Sequence, residues 1–243
     1  MTMVRFFFII ILLLCSCNIK FPEEQSTTEK KYREVLDADG NVKSRVIVKD
    51  GQLNGEVVTY YPGGQISAIA NYVNNRKEGI EKKYYKRGSL YRTRPYENGK
   101  LHGIEIRYYK SGKVKTEQEF RYDNPATGIK EYSILGKLNT TYPKIEFEVV
   151  QERDYKEQKL LLFYISDGSK NARYYSGKLI QNKYFDTEAE PELSREGVGE
   201  LWITPNFTGS ILIAAKVVRS SRGLLITQAT ANIKNGNLID TEY

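Results

Sequence analysis

The segment Asn98-Gly99-Lys100-Leu101-His102-Gly103-Ile104-Glu105-Ile106-Arg107-Tyr108-Tyr109-Lys110-Ser111-Gly112-Lys113-Val114 holds a short apolar and aromatic run between two glycine-containing turns. β-Branched and aromatic residues favour a strand. Asn-Gly and Ser-Gly punctuate it because tight turns need positive φ, which glycine adopts without a side-chain clash. Gly112 is also one of five glycines 24 residues apart, with Gly40, Gly64, Gly88 and Gly136. Two further columns keep that step. Tyr60-Tyr61 recurs as Tyr84-Tyr85 and Tyr108-Tyr109 and survives as Tyr132, and Val42, Ile66, Leu90, Val114 and Leu138 each follow their glycine by two. A fixed period of this length marks a repeat array, in which each unit buries its apolar face against its neighbours.

Gly55 to Val73 shows the unit in full. Glu56-Val57-Val58-Thr59-Tyr60-Tyr61 is extended, Pro62-Gly63-Gly64 turns, and Gln65 to Tyr72 returns, so each unit predicts a β-hairpin. Alternation sends the two tyrosines of each pair to opposite faces, which predicts two tyrosine ladders. The unit from Arg121 to Leu138 is degenerate, with a one-residue slip near Asn124-Pro125.

The pattern from Asn98 to Val114 resembles the bacterial variant of the MORN repeat, and Gly51 to Tyr72 and Asn74 to Tyr96 fit it with substitutions. The resemblance covers about 100 residues. It implies an elongated sheet of hairpins with a binding or scaffolding role, and some bacterial relatives of this type are labelled antitoxins. It also implies that His102, the single histidine, is a turn residue beside Gly103 and not a catalytic group.

After Leu138 the period stops. Ile145, Phe147 and Val149 alternate with polar residues, Leu160 to Ile165 is apolar on both faces, and Ile211 to Val217 and Leu225 to Ile233 alternate again. Ala172 to Tyr175, Leu179 to Tyr184 and Val198 to Ile203 are further candidate strands. Seven short strands in about 105 residues predict a β-sandwich. The stretch Gly199 to Ala215 resembles the late strands of Ig-like domains in bacterial surface proteins, and Trp202 within it reads as core. The expected fold class is therefore all-β, a MORN-type hairpin sheet followed by an Ig-like β-sandwich.

At the start of the chain, Arg5 precedes an apolar run from Phe6 to Leu14, too short to span a bilayer and of signal-peptide length. Leu14-Cys15-Ser16-Cys17 looks like a lipobox, with small Ser16 before Cys17. The expected organisation is a lipoprotein signal peptide at 1–17 with lipidated Cys17, a flexible tether at 18–38, repeats at 39–138 and the sandwich at 139–243. Both cysteines are then used, which leaves no disulfide or thiolate metal site. The expected location is the cell envelope, lipid-anchored, at the outer membrane in a Gram-negative organism.

Of the net charge of +7, residues 30–138 carry +9 and residues 139–243 carry −1. A basic array at a membrane predicts attraction to an envelope protein or to anionic glycan or lipid, and export argues against nucleic acid. Tyr60, Tyr84, Tyr108, Lys83, Arg107 and Lys115 are the candidate binding residues, from period and charge. No GxSxG, HExxH or phosphate loop occurs, and Glu188-Ala189-Glu190-Pro191-Glu192 lacks the ligand spacing of a calcium loop. The reading is a non-enzymatic binding or scaffolding protein without cofactor or metal. The alternatives are an immunity or antitoxin-like protein and an accessory subunit of a secretion or envelope complex.

Overall fold

A computed structural model describes residues 32–151, 158–186, 188–192 and 194–243. Cys15, Cys17, the signal peptide and most of the tether lie outside the described residues. The described chain is all-β, and it begins within the stretch read as tether.

Eleven strands form one antiparallel sheet: β1 (Arg33–Leu36), β2 (Val42–Lys49), β3 (Gln52–Tyr60), β4 (Ile66–Val73), β5 (Arg76–Tyr84), β6 (Leu90–Glu97), β7 (Lys100–Leu101), β8 (Gly103–Tyr108), β9 (Val114–Arg121), β10 (Asn124–Pro125) and β11 (Lys130–Glu131). Its two rims carry different turns. On one rim Asp50-Gly51, Asn74-Asn75, Asn98-Gly99 and Tyr122-Asp123 all have both residues at positive φ, the requirement of a type I′ hairpin turn. On the other, Gly40, Gly64, Gly88, Gly112 and Gly136 lie at φ between 83° and 91°, and each N–H donates to the carbonyl three residues back. Tyr122 is the costly member of the first set, since left-handed backbone crowds a bulky side chain. The His102 ring stacks on it at 4.4 Å, which gives His102 a structural task.

Bonds between units lock the array. The Tyr61, Tyr85 and Tyr109 hydroxyls donate to the carbonyls of Tyr84, Tyr108 and Tyr132 at 2.7, 2.8 and 2.6 Å. Near the opposite rim, Asn75, Gly99 and Asp123 N–H groups donate to Leu53, Lys77 and Leu101 carbonyls at 2.9–3.0 Å. One of the two expected tyrosine ladders is thus a set of repeated hydrogen bonds.

Eight strands follow in two four-stranded sheets: β12 (Ile145–Val150), β13 (Lys159–Ile165), β14 (Arg173–Ser176), β15 (Ser194–Arg195), β16 (Val198–Ile203), β17 (Gly209–Val218), β18 (Leu224–Lys234) and β19 (Asn237–Glu242). One sheet runs β12-β13-β16-β15 and the other β14-β17-β18-β19. Their inner faces share a core that includes Phe163, Ile165, Tyr174, Ile213 and Ala231.

Two expectations fail in this half. Leu179 to Tyr184 is a turn around Gln181-Asn182, both at positive φ, with Leu179 and Phe185 buried in a second small cluster beside Tyr175. Trp202 is 42% exposed, because period-two alternation turns Leu201 and Ile203 inward and leaves Trp202 on the outer face.

The degenerate repeat unit joins the two halves. The slip at Asn124–Pro125 frees backbone that pairs elsewhere: Thr127 N donates to Lys183 O and Phe185 N to Pro125 O, both at 2.8 Å. Ile129 is buried in the sandwich core. Glu131 bonds Ser221 and lies 3.6 Å from Arg219.

Tyr174 gives a test of the core. Its buried hydroxyl donates to Gly197 O at 2.6 Å, and burial pushes its pKa up to about 12. That contribution is complete below the ordinary tyrosine value near 10 and is lost as pH rises through 12. Tyr174→Phe is expected to cost about 1–2 kcal/mol at pH 7, by stranding the carbonyl, and to flatten the loss of stability above pH 10. Urea melts at pH 7, 10 and 11.5 check both parts.

Candidate functional site

The 24-residue columns differ in side-chain size, and this shapes the surface. Where the second unit has Tyr91, Arg92 and Arg94, the first has Ser67, Ala68 and Ala70. In the register these residues occupy equivalent places: Ala68 faces Lys83 as Arg92 faces Arg107, and Ser67 and Tyr91 both fall at the bulges where pairing shifts. The small side chains of β4 therefore leave a trough of about 380 Å³ over the first unit. Tyr61, Tyr72, Tyr84 and Tyr91 line it, with Lys77, Lys83 and Glu81. Larger hollows lie along the rims, among turn residues such as Asn74 and Asn98 or Pro62 and Gly63. The trough differs from them in gathering four tyrosines around the buried carboxylate of Glu81.

Behind it runs a charged network on the same face of the sheet. Glu81 bonds Lys77 and lies 3.3 Å from Arg92. Glu105, 3% exposed, contacts Arg94, Arg107 at 2.6 Å and Arg92 at 3.9 Å. Burial works to raise the Glu81 pKa, but the hydrogen bond from Lys77 and the charges of Lys77, Lys83 and Arg92 outweigh it and hold the carboxyl below its usual range. Glu81 thus stabilises the fold at neutral pH, and that contribution is lost as acid protonates it.

Tyr91 closes one end of the trough. Its hydroxyl accepts from Arg107 Nη1 at 3.0 Å and from Arg222 Nη1 at 3.4 Å, and its ring packs edge-on to Tyr85 at 5.1 Å. Burial works against its ionisation, but the Arg222 hydrogen bond and the charges of Arg107, Arg222 and Arg92 lower its pKa.

The six candidate residues do not form one surface. Lys83 and Tyr84 line the trough. Arg107 is 9% exposed and engaged by Glu105 and Tyr91, so it reaches the trough only through Tyr91. Arg107 and Tyr108 are consecutive in β8 and project to opposite faces. Tyr60 lies under Arg45 in one rim hollow, and Lys115 stacks over Tyr109 in another. Sequence reasoning missed Tyr91, Glu105 and Arg222. Tyr91 was visible as a departure from Ser67 in its column and Glu105 as the repeat of Glu81, whereas Arg222 arrives from a distant turn. Among the described residues no group of three or more His, Cys, Asp or Glu side chains is placed to hold a metal ion.

Residues 53–74, 77–100 and 101–122 each match the family model described as the MORN repeat variant, so the array is of MORN type. No curated protein matches the chain.

Proposed function

We propose that the protein is a non-enzymatic binding or scaffolding module of the cell envelope, anchored by lipid on Cys17, with the tyrosine-walled trough over the first repeat unit as its recognition site. The trough carries the reading: a rigid, hydrogen-bonded sheet holds a concavity with aromatic walls and a few convergent charged groups, which is the usual composition of a ligand site. The Phe6 to Cys17 sequence supports the anchor. The sandwich order supports an Ig-like relationship: counted from β12, the first, second, fifth and fourth strands pair in one sheet and the third, sixth and seventh in the other, as in constant-type immunoglobulin domains, with the eighth, β19, added at the edge beside the seventh. Such a sandwich suits a spacer or a second contact surface.

The test fills the trough with side chains the repeat already accommodates. Ser67→Tyr with Ala68→Thr copies what the later units carry at Tyr91 and Thr116. Native envelope membranes are crosslinked with wild type, the filled variant and Cys17→Ala. The expected result is a component retained by wild type and reduced about tenfold or more by the filled variant, with Cys17→Ala released from the membrane fraction. Equal retention by the filled variant would overturn the trough as the recognition site.

A further inference from the structure

The environment of the Tyr91 hydroxyl specifies what can bind next to it. A phenol has one proton to donate and two lone pairs to accept with. At Tyr91 the guanidiniums of Arg107 and Arg222 both donate to that oxygen, and no acceptor takes its proton among the described residues. The hydroxyl is therefore left as a donor, and its next partner must be an acceptor.

Charge narrows the class of acceptor. Arg92, 8% exposed, has its guanidinium carbon 6.0 Å from the Tyr91 ring centre, and its buried Nε has no hydrogen-bond acceptor among the described residues. Arg222 is an exposed residue of the Arg219–Gly223 turn of the sandwich, with no acidic partner among the described residues. Glu81 and Glu105 are shared among Lys77, Arg92, Arg94 and Arg107, and of the carboxylates beside the turn Glu131 is engaged by Ser221 and Arg219 and Asp167 by Arg219. The end of the trough therefore carries an excess of positive charge and an unused donor, a setting in which charge-assisted hydrogen bonds to an oxyanion are strongest.

We infer that the junction of the repeat sheet with the Arg219–Gly223 turn is an oxyanion site, in which the Tyr91 O–H and the Arg222 guanidinium bind a carboxylate, sulfate or phosphate group. Arg107 and Arg92 supply field and position Tyr91. The group has two sources, a free ion or the acid substituent of a saccharide whose ring lies in the adjoining trough. Both the site and its link to the trough rest on the binding reading above.

Full-length protein in detergent is titrated calorimetrically with an oligouronate, a neutral oligosaccharide of equal length and inorganic sulfate. Wild type is compared with Tyr91→Phe, which removes the hydroxyl and with it both the donor proton and the oxygen that Arg107 and Arg222 bond, and with Arg222→Asn, which keeps the Tyr91 donor and tolerates the left-handed backbone at φ 67°. Lys82→Gln, on an exposed lysine of β5, controls for general charge. Each site variant is expected to weaken acidic-ligand binding about ten- to hundredfold while Lys82→Gln does not. Affinity that grows with oligouronate length identifies the saccharide source, and equal affinity for sulfate identifies the free ion. Unchanged binding in both site variants, an equal loss in Lys82→Gln, or no binding of any acidic probe overturns the inference. The readings separate in the crosslinking experiment: a partner lost from the trough-filled protein and kept by Tyr91→Phe leaves the trough standing without the oxyanion site.

Discussion

Glutamine in place of Glu105 is expected to destabilise the protein by about 3–5 kcal/mol, because it removes the anion that Arg94 and Arg107 pair with and that Arg92 shares with Glu81. Glu105 is 3% exposed and is contacted by Arg92, Arg94 and Arg107. A buried ion pair adds little over an apolar replacement, since desolvation of both charges offsets their attraction, but removal of one partner leaves an uncompensated charge in a poor solvent. Arg92 and Arg107 are each less than a tenth exposed. The measurement is the urea midpoint, with the slope unchanged. Salt is expected to rescue little of the loss, because screening acts weakly on buried charges. Glu105→Gln combined with Arg107→Gln separates the causes. If stranded charge is responsible, the double variant is more stable than Glu105→Gln alone. A double variant that is less stable, by the sum of the two single losses, would assign the effect to lost contacts and remove the charge explanation.

The same network shows where the sequence was informative. Glycines and asparagines at a constant step state where the chain must reverse, and the backbone meets that demand at every turn of both rims. What such a pattern records is shared by all units, and it says least about the place where a unit differs. The trough comes from such a difference: Ser67 and Ala68 stand in columns that hold Tyr91 and Arg92 one step later. Periodicity singles out Tyr60, Tyr84 and Tyr108 together, yet the carbonyls of Tyr84 and Tyr108 receive bonds that hold neighbouring units together, and of the three only Tyr84 lines the trough. Arg222 was out of reach for another reason. Its approach to Tyr91 depends on how the degenerate unit docks on the sandwich, through Ile129 and the Thr127 and Phe185 backbone bonds, and no local pattern encodes a contact between residues 131 positions apart. Trp202 was misplaced by composition, although the alternation of Leu201 and Ile203 around it already pointed it outward.

Alanine at Gly199 is expected to cost about 3 kcal/mol or more and to lower the melting temperature by roughly 6–12 °C. Gly199 sits in β16 directly opposite Phe163, and a Cβ there would lie 1.9 Å from the edge of that ring. The ring cannot yield. It is fully buried, packed edge-on to Tyr174 at 5.0 Å and tilted against Phe147 at 6.3 Å, in an interior dense enough to resist small displacements. Gly112 provides the contrast. A Cβ there would meet nothing within 4 Å, and φ of 85° is the only obstacle, so Gly112→Ala is expected to cost about 1–2 kcal/mol. Thermal melts of the two variants distinguish steric from backbone cost. Phe163→Leu added to Gly199→Ala supplies the deciding measurement, since a smaller side chain opposite the new methyl should return part of the loss. If the double variant melts lower than Gly199→Ala, the ring clash is not the cause, and the glycine is required for backbone geometry in β16.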